Sequence, residues 1–136
     1  MTINCVGYVL NASGAWSQKG TGSAELGSSQ NVHAERGAWG ALPNSTVYLL
    51  VQNAFPCAPC HAWFQAQSAN GHSIIIKVTA NNGSYSADHH FGLKGGVPCI
   101  IFYHGGTARY DSISHTMAGT GGAHPNFPAY PDITPY

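Results

Sequence analysis

Two short clusters in this sequence carry residue types that can do chemistry. One is His33-Ala34-Glu35 and the other is Pro56-Cys57-Ala58-Pro59-Cys60. Cysteines at i and i+3 in the first turn of a helix turn both sulfurs to one side. A helix start adds unpaired N–H groups and the positive end of the helix dipole, and both favour thiolate over thiol. Pro59 belongs in that first turn, where it sacrifices no helix hydrogen bond. An imidazole from His33, at the start of a second helix, completes a set of two sulfurs and one nitrogen. Such a set holds Zn²⁺ with a fourth position open, as in a catalytic rather than a closed structural site. Glu35 lies two residues from His33, so its side chain points roughly 200° away around an ideal helix. It is not placed to ligate the same ion. At a helix entrance it can instead reach a metal-activated water, take its proton and pass it to a substrate. Alone, Cys-x-x-C also reads as a redox pair or half a zinc finger, and His-x-Glu as chance; the argument rests on the two together.

The elements that must position these residues follow from patterning. Residues 5–11 are apolar and β-branched, and Asn11-Ala12-Ser13-Gly14 is a turn signal that predicts a returning strand over 16–19. Residues 20–31, rich in Gly, Ser, Thr, Asn and Gln, read as a loop. A short helix is expected over 33–42, ended by Pro43-Asn44. Residues 46–52, 73–79 and 97–103 are continuous apolar runs, as in strands covered on both faces. A second helix is expected over 57–68, and a short strand over 107–113 pairs back after the Gly105-Gly106 turn. Strand, helix, strand, helix, strand, strand is an α/β pattern. The runs at 73–79 and 97–103 are expected to be antiparallel neighbours. The chain reads as one domain over 1–136 with a Gly/Pro-rich surface tail over 115–136.

Composition narrows the function classes. Lys plus Arg is 5 and Asp plus Glu is 5, so the net charge is zero, and only 7% of residues are charged. Domains that hold nucleic acid mainly through phosphates have pI above about 9, which excludes that class. No run of about 18 apolar residues is present, so no membrane span is expected. The N-terminus has no basic stretch before an apolar one, so no signal peptide is expected. Cys5 and Cys99 fall in apolar runs and read as buried thiols.

The paired motifs H-x-E and P-C-x-x-C resemble the signature of the zinc-dependent cytidine/deoxycytidylate deaminase superfamily. The resemblance implies a three-layer α/β/α fold with a central mixed sheet of about five strands. It implies His33, Cys57 and Cys60 as zinc ligands and Glu35 as the acid/base. It implies hydrolytic attack at C4 of cytosine or C6 of adenine with release of ammonia. Backbone groups around Ala34 and Phe55-Pro56 would frame the base. In size and style the chain looks most like the nucleic-acid deaminase domains of bacterial polymorphic toxins. Such domains are secreted, act in the cytoplasm of a target cell and are neutralised by an immunity protein. The implied substrate is cytosine in DNA, single- or double-stranded, ahead of RNA.

Other residues stay open between two roles. Trp16 could stack on a base or pack in a hairpin, and Asn31 could hold a sugar hydroxyl or cap the helix. His61 could support the metal group or face solvent, and His89-His90 could contact phosphate, line a cleft rim or sit in a solvated loop. Two rival functions carry the same motifs: a deaminase of free cytidine or deoxycytidine, which the neutral charge favours, and a non-catalytic zinc-binding module. Thiol–disulfide exchange through Cys57 and Cys60 would need neither His33 nor Glu35.

Overall fold

The structure is a computed structural model and describes residues 2–25, 33–82, 90–92, 96–112 and 124–136. β1 (Thr2–Leu10) and β2 (Trp16–Glu25) form a hairpin. Its turn is held by Asn11, whose Oδ1 accepts hydrogen bonds from the backbone N–H groups of Ser13 and Ala15. Then come α1 (Ala34–Gly40), β3 (Val47–Gln52), α2 (Ala58–Ala69), β4 (Ser73–Val78), β5 (Cys99–His104) and β6 (Thr107–Ser112). The strands form one sheet in the order β2-β1-β3-β4-β5-β6. β3 and β4 are parallel, as a helical crossover requires, and α2 is that crossover. The other neighbours are antiparallel, including β4 and β5 as expected. No helix among the described residues is long and apolar enough to cross a membrane.

Side chains alternate across the sheet with period two. Tyr48, Leu50, Ile74, Ile76, Val78, Ile101 and Tyr103 point to one face, where Ala34 and Ala38 of α1 and Phe64 of α2 pack against them. Val47, Leu49, Ile75, Ile100 and Phe102 point to the other face, against Phe127, Tyr130 and Ile133. The α/β class and the central mixed sheet stand as expected. The sheet has six strands rather than about five, because both edges are filled by full-length partners. Both described helices lie on the first face, and an extended C-terminal segment covers the second.

That segment corrects the expectation of a surface tail for residues 124–136. Phe127, Tyr130 and Ile133, spaced by three, are buried. Pro125, Pro128 and Pro131 keep the backbone out of a helix, so the apolar side chains reach the sheet from an extended strap. Lys77, on the same face, donates from Nζ to the carbonyls of Ile133 at 3.1 Å, Thr134 at 3.2 Å and Tyr136. A buried ammonium is tolerable because three carbonyls replace its water.

A second correction concerns residues 20–25, which continue β2 rather than forming a loop. Their glycines serve a close approach. A Cβ on Gly22 would stand 2.0 Å from the Ala34 carbonyl oxygen, and one on Gly20 would stand 2.5 Å from that of Ala38. Only residues without a side chain let α1 settle this near to β2. That contact fixes where α1 begins, and therefore where His33 stands.

Candidate metal centre

Cys57 follows the end of β3 and is the N-cap of α2, with extended backbone at φ −68° and ψ 165°. Pro59 stands in the first turn, and Cys60 lies one turn in, fully buried. His33 is the N-cap of α1, also extended, at φ −63° and ψ 149°. Two helix entrances therefore meet at the carboxyl end of the parallel β3–β4 pair, the crevice in which open α/β sheets bind ligands.

The His33 Nδ1 lies 3.2 Å from the Cys60 sulfur and 3.3 Å from the Cys57 sulfur. All three ligand atoms lie within 4.8 Å of one another. Around one tetrahedral ion, nitrogen at about 2.0 Å and sulfur at about 2.3 Å stand about 3.5 Å apart. The observed spacing needs only small adjustments to reach that value. Two soft sulfurs and one imidazole are also the donor set that a thiophilic dication prefers. The three residues could thus hold a metal ion, as their sequence spacing implied.

Electrostatics point the same way. Hydrogen bonding from the Cys60 thiol, with smaller contributions from the Cys60 backbone and the His33 ring, outweighs burial and brings the Cys57 thiol down to about 5. Cys60, the proton donor of that pair, is pushed up. One sulfur is thus prepared as a thiolate before any ion arrives.

Glu35 is buried on the sheet side of α1. Its Oε2 accepts a hydrogen bond from Gln52 Nε2 at 3.2 Å, and the same nitrogen donates to the Ala54 carbonyl at 2.6 Å. Burial raises the Glu35 carboxyl above the ordinary range, against hydrogen bonds from its own backbone and Gln52. A carboxyl raised in this way is suited to carry a proton at mild pH. One turn beyond the ligands, the Arg36 guanidinium lies 4.2 Å over the Trp63 ring and braces α1 against α2.

Of the other residues expected here, Ala34 stands between His33 and Glu35 as the first residue of α1, with its side chain buried. Phe55 packs in the core beneath the helices and Pro56 is buried beside it. The Pro56 carbonyl accepts a hydrogen bond from His90 Nε2 at 2.5 Å. Trp16 is not brought to the site. It packs on the opposite face with Phe127 and Tyr130, and its Nε1 donates to the Pro131 carbonyl at 3.2 Å. Asn31 and His89 lie outside the described residues.

Gln52 and Tyr103 were not anticipated, whereas His90, open between a functional contact and a solvated loop, is brought against the chain that precedes Cys57. Gln52 had a signal. It closes the run TVYLLVQ at the parity of Tyr48 and Leu50, which places a polar side chain on the helix face. His61 Nδ1 is 2.7 Å from the buried Tyr103 hydroxyl, and its ring stacks on His90 at 4.2 Å. Comparisons with known protein families, with curated proteins and with solved structures return no significant match.

Proposed function

We propose that this chain is a zinc-dependent hydrolytic deaminase that converts cytosine to uracil within nucleic acid, DNA ahead of RNA. One observation carries the reading: His33, Cys57 and Cys60 converge on one point while the helix that brings His33 also brings a buried carboxyl, Glu35, held by Gln52. When bound, zinc supplies Lewis-acid activation of a water at neutral pH. His33, Cys57 and Cys60 would hold the ion. Glu35 takes a proton from the attacking water and delivers it to the amino nitrogen that leaves as ammonia. One water is consumed and one ammonia released, so atoms and charge balance. Gln52 holds the Glu35 carboxylate in place through its Oε2. The target base must already be unpaired or leave its stack to reach groups as buried as Glu35 and Cys60. In the same reading the chain is a toxin domain, neutralised in its own cell by an immunity protein.

A specific observation favours a smaller substrate as the second reading. Lys77 is engaged by the strap and Arg36 by Trp63, so among the described residues only Lys19 and Arg109 are exposed cations. A deaminase of free cytidine or deoxycytidine needs no groove for phosphates.

The test offers single-stranded DNA, duplex DNA, RNA and free cytidine to the purified protein, with Glu35→Ala as control. Uracil formed in a polymer and absent from the control supports the main reading. Conversion of free cytidine alone moves the chain to the second. Tight zinc binding without turnover on any of them overturns both, and points to adenine or guanine as the base first and to a non-catalytic zinc module next.

A further inference from the structure

We infer that His90 is a positioning residue for the metal centre, clasping the chain just before Cys57 and so setting how tightly the three ligands take an ion. The inference rests on the metal centre of the reading above and is independent of its substrate.

The need for a clasp follows from the local chain. Cys57 is an N-cap residue, so its direction is set by the segment that enters the helix rather than by helix geometry. That segment is Phe55-Pro56. Pro56 has no N–H, and its carbonyl belongs to a buried residue ahead of the helix. A carbonyl withdrawn even partly from water gains from a donor in the protein. His90 supplies it, 34 residues away in sequence, with Nε2 at 2.5 Å. A carbonyl oxygen only accepts, so Nε2 carries the hydrogen.

His90 is itself held. Its ring stacks on His61 at a centroid distance of 4.2 Å and an interplanar angle of 19°. His61 is the residue after Cys60, and its Nδ1 meets the hydroxyl of Tyr103, the penultimate residue of β5. Phe91 sets its ring against the edge of His61 at 5.4 Å. One imidazole thus fastens the carbonyl before the first cysteine while resting on the residue after the second. Both sulfurs are bracketed by one contact pair. An ion that finds its ligands already placed does not spend binding energy on ordering them. Partners of this kind, removed, typically cost about 10- to 100-fold in metal affinity.

The experiment measures zinc affinity by competition with a chromophoric chelator for the parent, His90→Ala and His90→Gln, with His33→Ala as the ligand-loss control. Cobalt(II) absorption is recorded for each. His90→Ala is expected to bind zinc about 10- to 100-fold more weakly and to show a broadened, shifted cobalt ligand-field band. His90→Gln, whose amide can donate to the same carbonyl, is expected to recover most of both. Metal-free parent and His90→Gln should melt at similar temperatures, which separates positioning from folding. Parent-like affinity in His90→Ala, or equal losses in both variants, overturns the inference and leaves the metal centre standing. A parent that binds no metal overturns the inference and the proposed function together.

Discussion

The amide nitrogen of Gln52 is shared between the Glu35 carboxylate at 3.2 Å and the Ala54 carbonyl at 2.6 Å. The last residue of a buried strand thereby holds the buried carboxyl of the neighbouring helix and the start of the loop that leads to Cys57. Glu35→Gln is expected to lower turnover by about 10²- to 10⁴-fold, the usual worth of a positioned acid/base. Its zinc content should stay that of the parent. Gln52→Leu should give a smaller loss, with KM less affected than kcat. Full turnover by Glu35→Gln, measured beside metal content, would remove Glu35 from the chemistry.

Metal loading should stabilise the fold. An ion that binds only the folded chain adds about 4 kcal/mol at a free concentration of about 1,000 times Kd. Melting temperature is expected to rise with free zinc in the parent and to fall back on chelation. Cys60→Ser and His33→Ala should show little of this response. Equal responses in parent and variants would place the ion elsewhere.

Gly22 faces the Ala34 carbonyl so closely that a Cβ would stand 2.0 Å from it. Gly22→Ala must push α1 off β2, and overpacking of this kind costs about 1–3 kcal/mol or more. Because α1 begins at His33, zinc affinity should fall as well. Gly40→Ala, with nothing within 4 Å of its Cβ, is the matched control and should leave urea unfolding nearly unchanged. Parent-like stability in Gly22→Ala would mean that α1 does not ride on β2 this closely.

Stability should decline on the alkaline side. Burial pushes the Cys99 thiol from its usual 9.0 up to about 12, and the Tyr130 phenol from 10.0 up to about 12. Both groups keep their protons longer in the folded chain than in the unfolded one. Their contribution is whole below about pH 9, wanes from there to about pH 12, and is lost once the folded groups ionise. Urea titrations at pH 8, 9.5 and 11 check the slope. Cys99→Ala should flatten its earlier part, between about pH 9 and 10, where the thiols, Cys99 among them, titrate in the unfolded chain ahead of the phenols. An unchanged slope there would show that Cys99 does not titrate with folding.

The ligand set was legible because its chemistry is local: His33 with Glu35, and Cys57 with Cys60, each fall within one turn of a helix entrance. The strands at 47–52, 73–78 and 99–104 were legible because both faces of each are buried and the runs are apolar throughout. What escaped depends on partners distant in sequence. Gly20 and Gly22 look like loop residues until α1 is laid on them. Phe127, Tyr130 and Ile133 look like scattered aromatics and aliphatics among prolines until the second sheet face needs a cover. Trp16 looked like a stacking platform because hairpin alternation alone does not say which face the strap occupies. The partner of His90 had no local signal, since its acceptor, the Pro56 carbonyl, is a backbone atom.

The strand order also bears on how the centre comes into being. β1–β2 and β5–β6 are hairpins between consecutive strands, and α2 carries the chain from β3 directly to its neighbour β4. β1 and β3 are different, pairing Cys5 with Gln52 and Val9 with Tyr48 across an intervening hairpin strand and helix. Contacts of such sequence separation close slowly, because the loop entropy is spent before the pairing rewards it. That closure also sets the β1–β2–α1 unit, with His33, beside the β3–α2–β4 unit, with both cysteines. During refolding, the two thiols are therefore expected to come together first, and His33 to join them only when the central strands pair.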